Sequence, residues 1–172
     1  MLGLESGRIW VGILGHISER KNPDLIIRAM LGLQCGEFGL MVAGSMTQVV
    51  ADKCEPLLRA FQDQGGAVVR IDGYLDNETF DRALESVDVT VIAHSNEGAS
   101  GILGRSLAVG VLPIVAGPPG LKRYIRNFPA SLTAPLSIEG IREALLKVKS
   151  ILPAQPIEVS GADDFFEQLI AR

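Results

Sequence analysis

The sequence predicts an α/β protein: an open, mostly parallel sheet with helices on both faces. Three observations carry this. Short β-branched apolar runs alternate with segments of helical periodicity along most of the chain. The runs are continuously apolar, as suits strands covered on both faces. Glycines or an Asn-Pro pair punctuate most of the transitions. At 172 residues, 47% hydrophobic and 21% charged, there is apolar material for one buried core. Residues 1–152 are expected to form that domain, and 153–172 a connector and a terminal helix.

The elements follow in order. Ile9 to Leu14 is the first strand. Asn22-Pro23-Asp24 reads as a helix start, with a capping side chain, proline in the first turn and an acid near the positive end. Leu25, Ile26, Ala29, Met30 and Leu33 give that helix one apolar face, and Gly36 fits its end. Phe38 to Ala43 is a second strand. Val50, Cys54, Leu57, Leu58 and Phe61 mark an amphipathic helix, stopped by Gly65-Gly66. Ala67 to Ile71 is a third strand, and Asp72-Gly73 a turn. Asp76 or Asn77 caps the next helix, with Phe80, Ala83, Leu84 and Val87 inward.

Val89 to Ala93 is a fourth strand. A loop of small and polar residues, 94–101, leads into a helix over Ile102–Val109, closed by Gly110. Pro113 to Ala116 is a fifth strand. Leu121 to Arg126 is expected as a short helix, Ser131 to Ala134 as a short last strand. Ser137 caps a helix carrying Ile138, Ile141, Leu145 and Val148. Asp163 or Asp164 opens a final segment with Phe165, Phe166, Leu169 and Ile170.

Composition excludes several function classes. A net charge of −4 supplies no global basic field for nucleic acid, and 5% aromatics no base-stacking platform. Cys35 and Cys54 lack metal-ligand spacing and are expected to be ordinary thiols in a reducing compartment. The two histidines stand far apart, so no metal is expected. The start MLGLESGR lacks a basic signal-peptide opening, and no run approaches the roughly 18 apolar residues of a membrane span. The expected location is cytoplasmic.

Open parallel sheets bind ligands beyond the carboxyl ends of their strands. Two loops at that edge carry chemistry. Loop 15–22 holds His16, Arg20 and Lys21 before a helix N-terminus, which suits phosphate; the competing reading is a solvated loop with Glu19 neutralising Arg20. Loop 94–101 holds Glu97, either an acceptor for sugar hydroxyls, a base, or a surface acid. His94 could pair with Glu97 or be structural. Gly98 and Gly101 serve a tight turn or a close anion approach. Arg105, one turn into the helix, either reaches an anion held at Gly101 or pairs with an acid on the surface.

Together these pieces resemble the C-terminal, donor-binding domain of retaining glycosyltransferases of the GT-B fold, family 4 or group 1 type. The resemblance spans about residues 8–151. It rests on VGILGHISERKNPDLIIRAM, on GLMVAG, on VRIDGYLDNETFDRALESVDVTVIAHSNEG and on GILGRSLAVGVLPIVAG, in that order and spacing. It implies a Rossmann-like domain that binds a nucleotide-diphosphate sugar as donor substrate, without a metal or other cofactor. It places Lys21 and Arg20 on the diphosphate with Gly15 and His16 beside them, Tyr74 and Leu75 at the base, and Glu97 on the donor sugar as the catalytic position. The N–H groups of Gly98, Ser100, Gly101 and Ile102 would receive phosphate.

The chain departs from the family in three places. His16 stands where many members have arginine, and Leu112 where they have proline. Arg105 occupies the second acid position of the family's Glu-x7-Glu motif, and arginine cannot accept hydrogen bonds from ribose; a phosphate role is expected for it instead.

The implied function is that of a donor-binding domain in a retaining transferase acting on a saccharide or lipid-linked acceptor, as in polysaccharide biosynthesis. The partner would be an N-terminal acceptor domain, and peripheral membrane association of the full enzyme is compatible with it. This domain alone is expected to be inactive. The alternatives are a non-catalytic binding or scaffolding homologue with a degenerate motif, and another doubly wound enzyme such as an epimerase.

Overall fold

The structure, a computed structural model, describes residues 4–126, 128 and 130–156. Six parallel strands form one sheet: β1 (Ile9–Leu14), β2 (Phe38–Gly44), β3 (Ala67–Asp72), β4 (Val89–Ala93), β5 (Leu112–Ala116) and β6 (Leu132–Ala134). Their order is β3-β2-β1-β4-β5-β6. This is the doubly wound arrangement: the chain builds outward from β1 to β3, then returns to lay β4 on the other side of β1. β1 therefore touches both halves, with Val11 paired to Val89 and the whole strand in register with β2.

The alternation of side chains in each strand sorts the core into two layers. Val11 and Ile13 of β1, Leu40 and Val42 of β2, and Val89 and Val91 of β4 face one layer. It is closed by α1 (Pro23–Met30), α2 (Gln48–Asp63) and α6 (Ile138–Lys147). Trp10, Leu14, Met41 and Ala43 face the other side and meet Ala83 and Leu84 of α3 (Asn77–Glu85). Ile92 and Val115 continue that face under α4 (Gly101–Val109) and α5 (Pro119–Tyr124). Polar groups inside this face are matched. Thr90 of β4 and Ser106 of α4 share a buried hydrogen bond of 2.9 Å, which keeps both hydroxyls satisfied where water is excluded.

Most expected elements lie where the periodicity puts them, with small shifts. Asp76 caps α3 by accepting from the Thr79 N–H, and Ser137 caps α6 by accepting from the Gly140 N–H. Gly110 closes α4 in the left-handed conformation. β5 begins one residue earlier than expected, at Leu112, and α5 starts at Pro119 rather than Leu121.

The first helix corrects the reading twice. It ends at Met30, so Leu33 and Gly36 lie beyond it, where Cys35–Glu37 form a separate 3₁₀ turn into β2. Asn22 precedes it in a left-handed conformation (φ 46°) and makes no side-chain cap. Its amide is taken by tertiary partners instead. The expected final segment around Asp163, Phe165 and Phe166 lies outside the described residues. Among the described residues no helix is long and apolar enough to cross a membrane.

Candidate functional site

A cleft of about 310 Å³ opens at the carboxyl edge of the sheet, between the ends of β1 and β4. That is the point where the strand order reverses, and the two outgoing loops diverge there. Leu14, Gly15, Arg20 and Lys21 form one side. His94 and the Ala99–Ile102 turn into α4 form the other, and Phe80 and Arg105 close the end.

The β1 side is shaped by a backbone ladder that outlasts the strands. The Gly15 N–H donates to the Ala43 carbonyl and the Ile17 N–H to the Ser45 carbonyl. This extended pairing alternates the side chains. Ile17 turns fully into the core, so His16 turns out, exposed, with its ring at 3.0 Å from the Ser45 hydroxyl. Gly15 holds φ +85°, and a Cβ there would stand 3.6 Å from both the Lys21 ammonium and the Phe80 ring. Backbone strain at that φ, more than crowding, is what glycine avoids.

A 3₁₀ turn, Glu19–Lys21, then swings the cations over the cleft. Lys21 Nζ donates to the Leu14 carbonyl at 3.1 Å. Burial, and then the neighbouring Arg20, push the Lys21 ammonium below its ordinary pKa. Arg20 donates from Nη1 to His94 Nδ1 at 3.2 Å. A guanidinium has no acceptor, so this nitrogen must be the unprotonated one and the ring proton must sit on Nε2. Burial of His94, followed by the charges of Arg20 and Lys21, holds its pKa down at about 4, so the ring is neutral at pH 7.

Glu19 does not neutralise Arg20. It pairs with Lys53 of α2 at 2.6 Å. Among the described residues no carboxylate forms an ion pair with Arg20 or Lys21, and no acid lines the cleft. Facing these cations is the start of α4, whose leading N–H groups lack intrahelical acceptors. Ser100, just before it, makes no cap hydrogen bond. Its hydroxyl is buried without a hydrogen-bond partner among the described residues. An orphan hydroxyl costs roughly 1–3 kcal/mol.

Arg105 lines the cleft and is also tethered. Its guanidinium donates to Asp81 Oδ1 at 3.1 Å and to Asn77 Oδ1 at 3.2 Å, and lies over the Phe80 ring at 5.0 Å. The acid-pairing reading of this residue therefore holds, with the guanidinium standing at the end of the cleft.

The remaining candidates lie apart. Glu97 is exposed, with Oε1 accepting from the Gly120 N–H at 3.5 Å, at the start of α5; neither Glu97 nor Gly98 lines the cleft. Of the two readings of His94, pairing with Glu97 does not hold: its ring faces Arg20. Tyr74 is 92% exposed beyond the Gly73 turn, while Leu75 packs with Phe80 against the sheet. Phe80 and His94 line the cleft although the sequence reading gives neither a place on the ligand. Phe80 counts as an ordinary core position of an amphipathic helix. His94 carries a usable signal: it is the polar residue at the carboxyl end of an otherwise apolar strand.

No protein-family model matches the sequence, and no curated protein matches it. Solved structures do resemble it. The catalytic domain of cholesterol-α-glucosyltransferase from Helicobacter pylori superposes with a TM-score of 0.65 at 16% identity, over 83% of this chain and 86% of that one. The C-terminal domain of a glycosyl transferase group 1 family protein from Francisella tularensis gives 0.64 at 18%, over 84% and 76%. Sucrose-phosphate synthase from Thermosynechococcus elongatus gives 0.71 at 17%, over 87% of this chain but 38% of the synthase. The chain thus matches most of two single-domain structures and 38% of a larger enzyme. Its fold is the Rossmann-like α/β fold of these glycosyltransferase domains.

Proposed function

We propose that this chain is the donor-binding domain of a retaining glycosyltransferase. It would bind a UDP-, GDP- or ADP-linked sugar, with a second, N-terminal domain supplying the saccharide or lipid-linked acceptor. The observation that carries the reading is the charge pattern of the cleft. Arg20 and Lys21, without carboxylate ion-pair partners among the described residues, share the cleft with the start of α4 and Ser100, whose hydroxyl has no hydrogen-bond partner among the described residues. Cations, free N–H groups and a hydroxyl converging on one gap suit a diphosphate. The shared fold of glycosyltransferase domains supports the same assignment.

In such a transfer the bond from the sugar to the diphosphate breaks, and negative charge grows on the leaving phosphate. Arg20, Lys21 and the α4 amides would stabilise that charge without a metal, in a geometry set before the reaction. The sugar would lie toward the 94–101 loop. Glu97 would engage it after leaving the Gly120 N–H, a weak exposed contact that costs little to break. Calorimetric titration with UDP, GDP and ADP, free and sugar-linked, tests the reading. Saturable binding of at least one in the micromolar to millimolar range is expected. No binding by the folded protein would overturn it.

Arg105 is assigned to the diphosphate rather than the ribose. Its tether to Asp81 is an exposed ion pair, worth at most about 1 kcal/mol, so a phosphate can draw it away. Arg105→Ala is expected to weaken nucleoside diphosphate binding about three- to fivefold, and nucleoside binding hardly at all. Equal losses for both ligands would sink the assignment.

A further inference from the structure

The two loops that form the cleft leave the sheet from different strands, and something must hold them in mutual register. The structure shows what does. The Asn22 amide donates from Nδ2 to the Ala93 carbonyl at 2.7 Å and to the Ser95 hydroxyl at 2.8 Å, with a longer contact to the Arg20 carbonyl at 3.3 Å. The Ser95 N–H donates to the Arg20 carbonyl at 2.9 Å, and its hydroxyl donates to the same oxygen at 3.2 Å. The Arg20 carbonyl is thus the hub of a stitch between the cation turn and the end of β4.

The left-handed backbone of Asn22 explains the residue type. At φ 46° glycine and asparagine are the readiest occupants. Glycine would make the turn without the stitch. Asparagine makes the turn and carries an amide donor long enough to reach β4.

We propose that Asn22 is a positioning residue of the anion site: by bridging Ala93 and Ser95 it fixes the Arg20–Lys21 turn against β4, so that both cations face the start of α4. The proposal rests on the cleft being an anion site. The amide touches neither cationic head group. It acts through the main chain of Arg20 and through the neighbouring position 21. Without it, the cations would remain but would sample other directions, and a ligand would have to order them on binding.

Asn22→Gly keeps the left-handed turn and removes the amide. Ser95→Ala removes the two hydrogen bonds of the Ser95 hydroxyl, leaves the Asn22–Ala93 bond in place, and serves if the glycine variant folds poorly. Two measurements separate the possible failures. The first is the titration of His94 by NMR, which needs no ligand. Burial is the larger cause of the low His94 pKa, and the charges of Arg20, in contact at 3.2 Å, and Lys21 the smaller; a turn that has come loose should both wet the ring and carry the charges away, so the pKa should rise from about 4. The second is the affinity for the best-binding of UDP, GDP and ADP, against that for its nucleoside.

The expected result is a raised His94 pKa, with about tenfold weaker diphosphate binding and nucleoside binding unchanged. Both variants should melt cooperatively. An unchanged His94 titration in a folded variant overturns the proposal, whatever the ligand data show. So does a raised His94 pKa with undiminished diphosphate affinity. If the unaltered protein binds none of the three nucleotides, both the proposal and the anion-site reading fall, and the His94 titration then reports only a loop contact.

Discussion

Replacing Lys21 with Met is expected to weaken nucleoside diphosphate binding by about 30- to 100-fold while leaving the free protein no less stable. The magnitude is that of one or two charge-assisted hydrogen bonds made in a partly dry site, roughly 2–3 kcal/mol. The stability half follows from the same geometry. The Lys21 ammonium is half-buried, beside Arg20, and both conditions disfavour its charge. Its folded pKa lies below the unfolded one. The protonated side chain therefore carries a cost at every pH below that folded value, neutral pH included. A neutral thioether of similar length removes the cost and keeps the packing, which offsets the lost hydrogen bond to the Leu14 carbonyl. Isothermal titration and thermal melting of the two proteins check both halves. A melting temperature that falls together with affinity would show Lys21 to be a structural residue first.

Acidification is expected to destabilise the fold through His94. The unfolded imidazole titrates near 6.5, and the folded one at about 4, chiefly because it is buried and then because it faces two cations. Between those values the unfolded chain binds a proton that the folded chain refuses. Stability from this group is fully present above about pH 6.5. It is lost progressively as the pH falls toward about 4, a total on the order of 3 kcal/mol. Carboxylates also titrate at the lower end, so the unaltered protein is compared with His94→Gln by denaturant unfolding between about pH 7 and pH 4.5. The difference between the two should narrow or reverse as the pH drops. Parallel curves would mean that His94 does not titrate differently on folding.

These two residues show how unequally the sequence exposes a site. Lys21 is legible because it follows Arg20, precedes an Asn-Pro helix start and comes after a buried strand; local order alone suggests a cation beside a helix. His94 is half legible. Its place at a strand end is visible, but the apparent partner was Glu97, three residues on. The true partner, Arg20, stands 74 positions away in sequence. Glu19 misleads in the same way: adjacency suggests Arg20, whereas the structure gives it Lys53.

The sequence by itself determined the six strands, their alternation with helices, a cap at Ser137 and one at Asp76 or Asn77, and the doubly wound class. Those features depend on repeat lengths of about 2 and 3.6 residues and on side chains that bond to their own backbone within three positions. Only the tertiary structure decided which charges are neutralised and which are left to bind. It took Asn22 from capping its own helix to bridging β4. It sent His16 outward because Ile17 must go inward, tethered Arg105 to α3, and left the Ser100 hydroxyl without a partner among the described residues. Such outcomes turn on distances between segments far apart in the chain. The order of strands around β1 sets those distances, and no spacing within one loop records them.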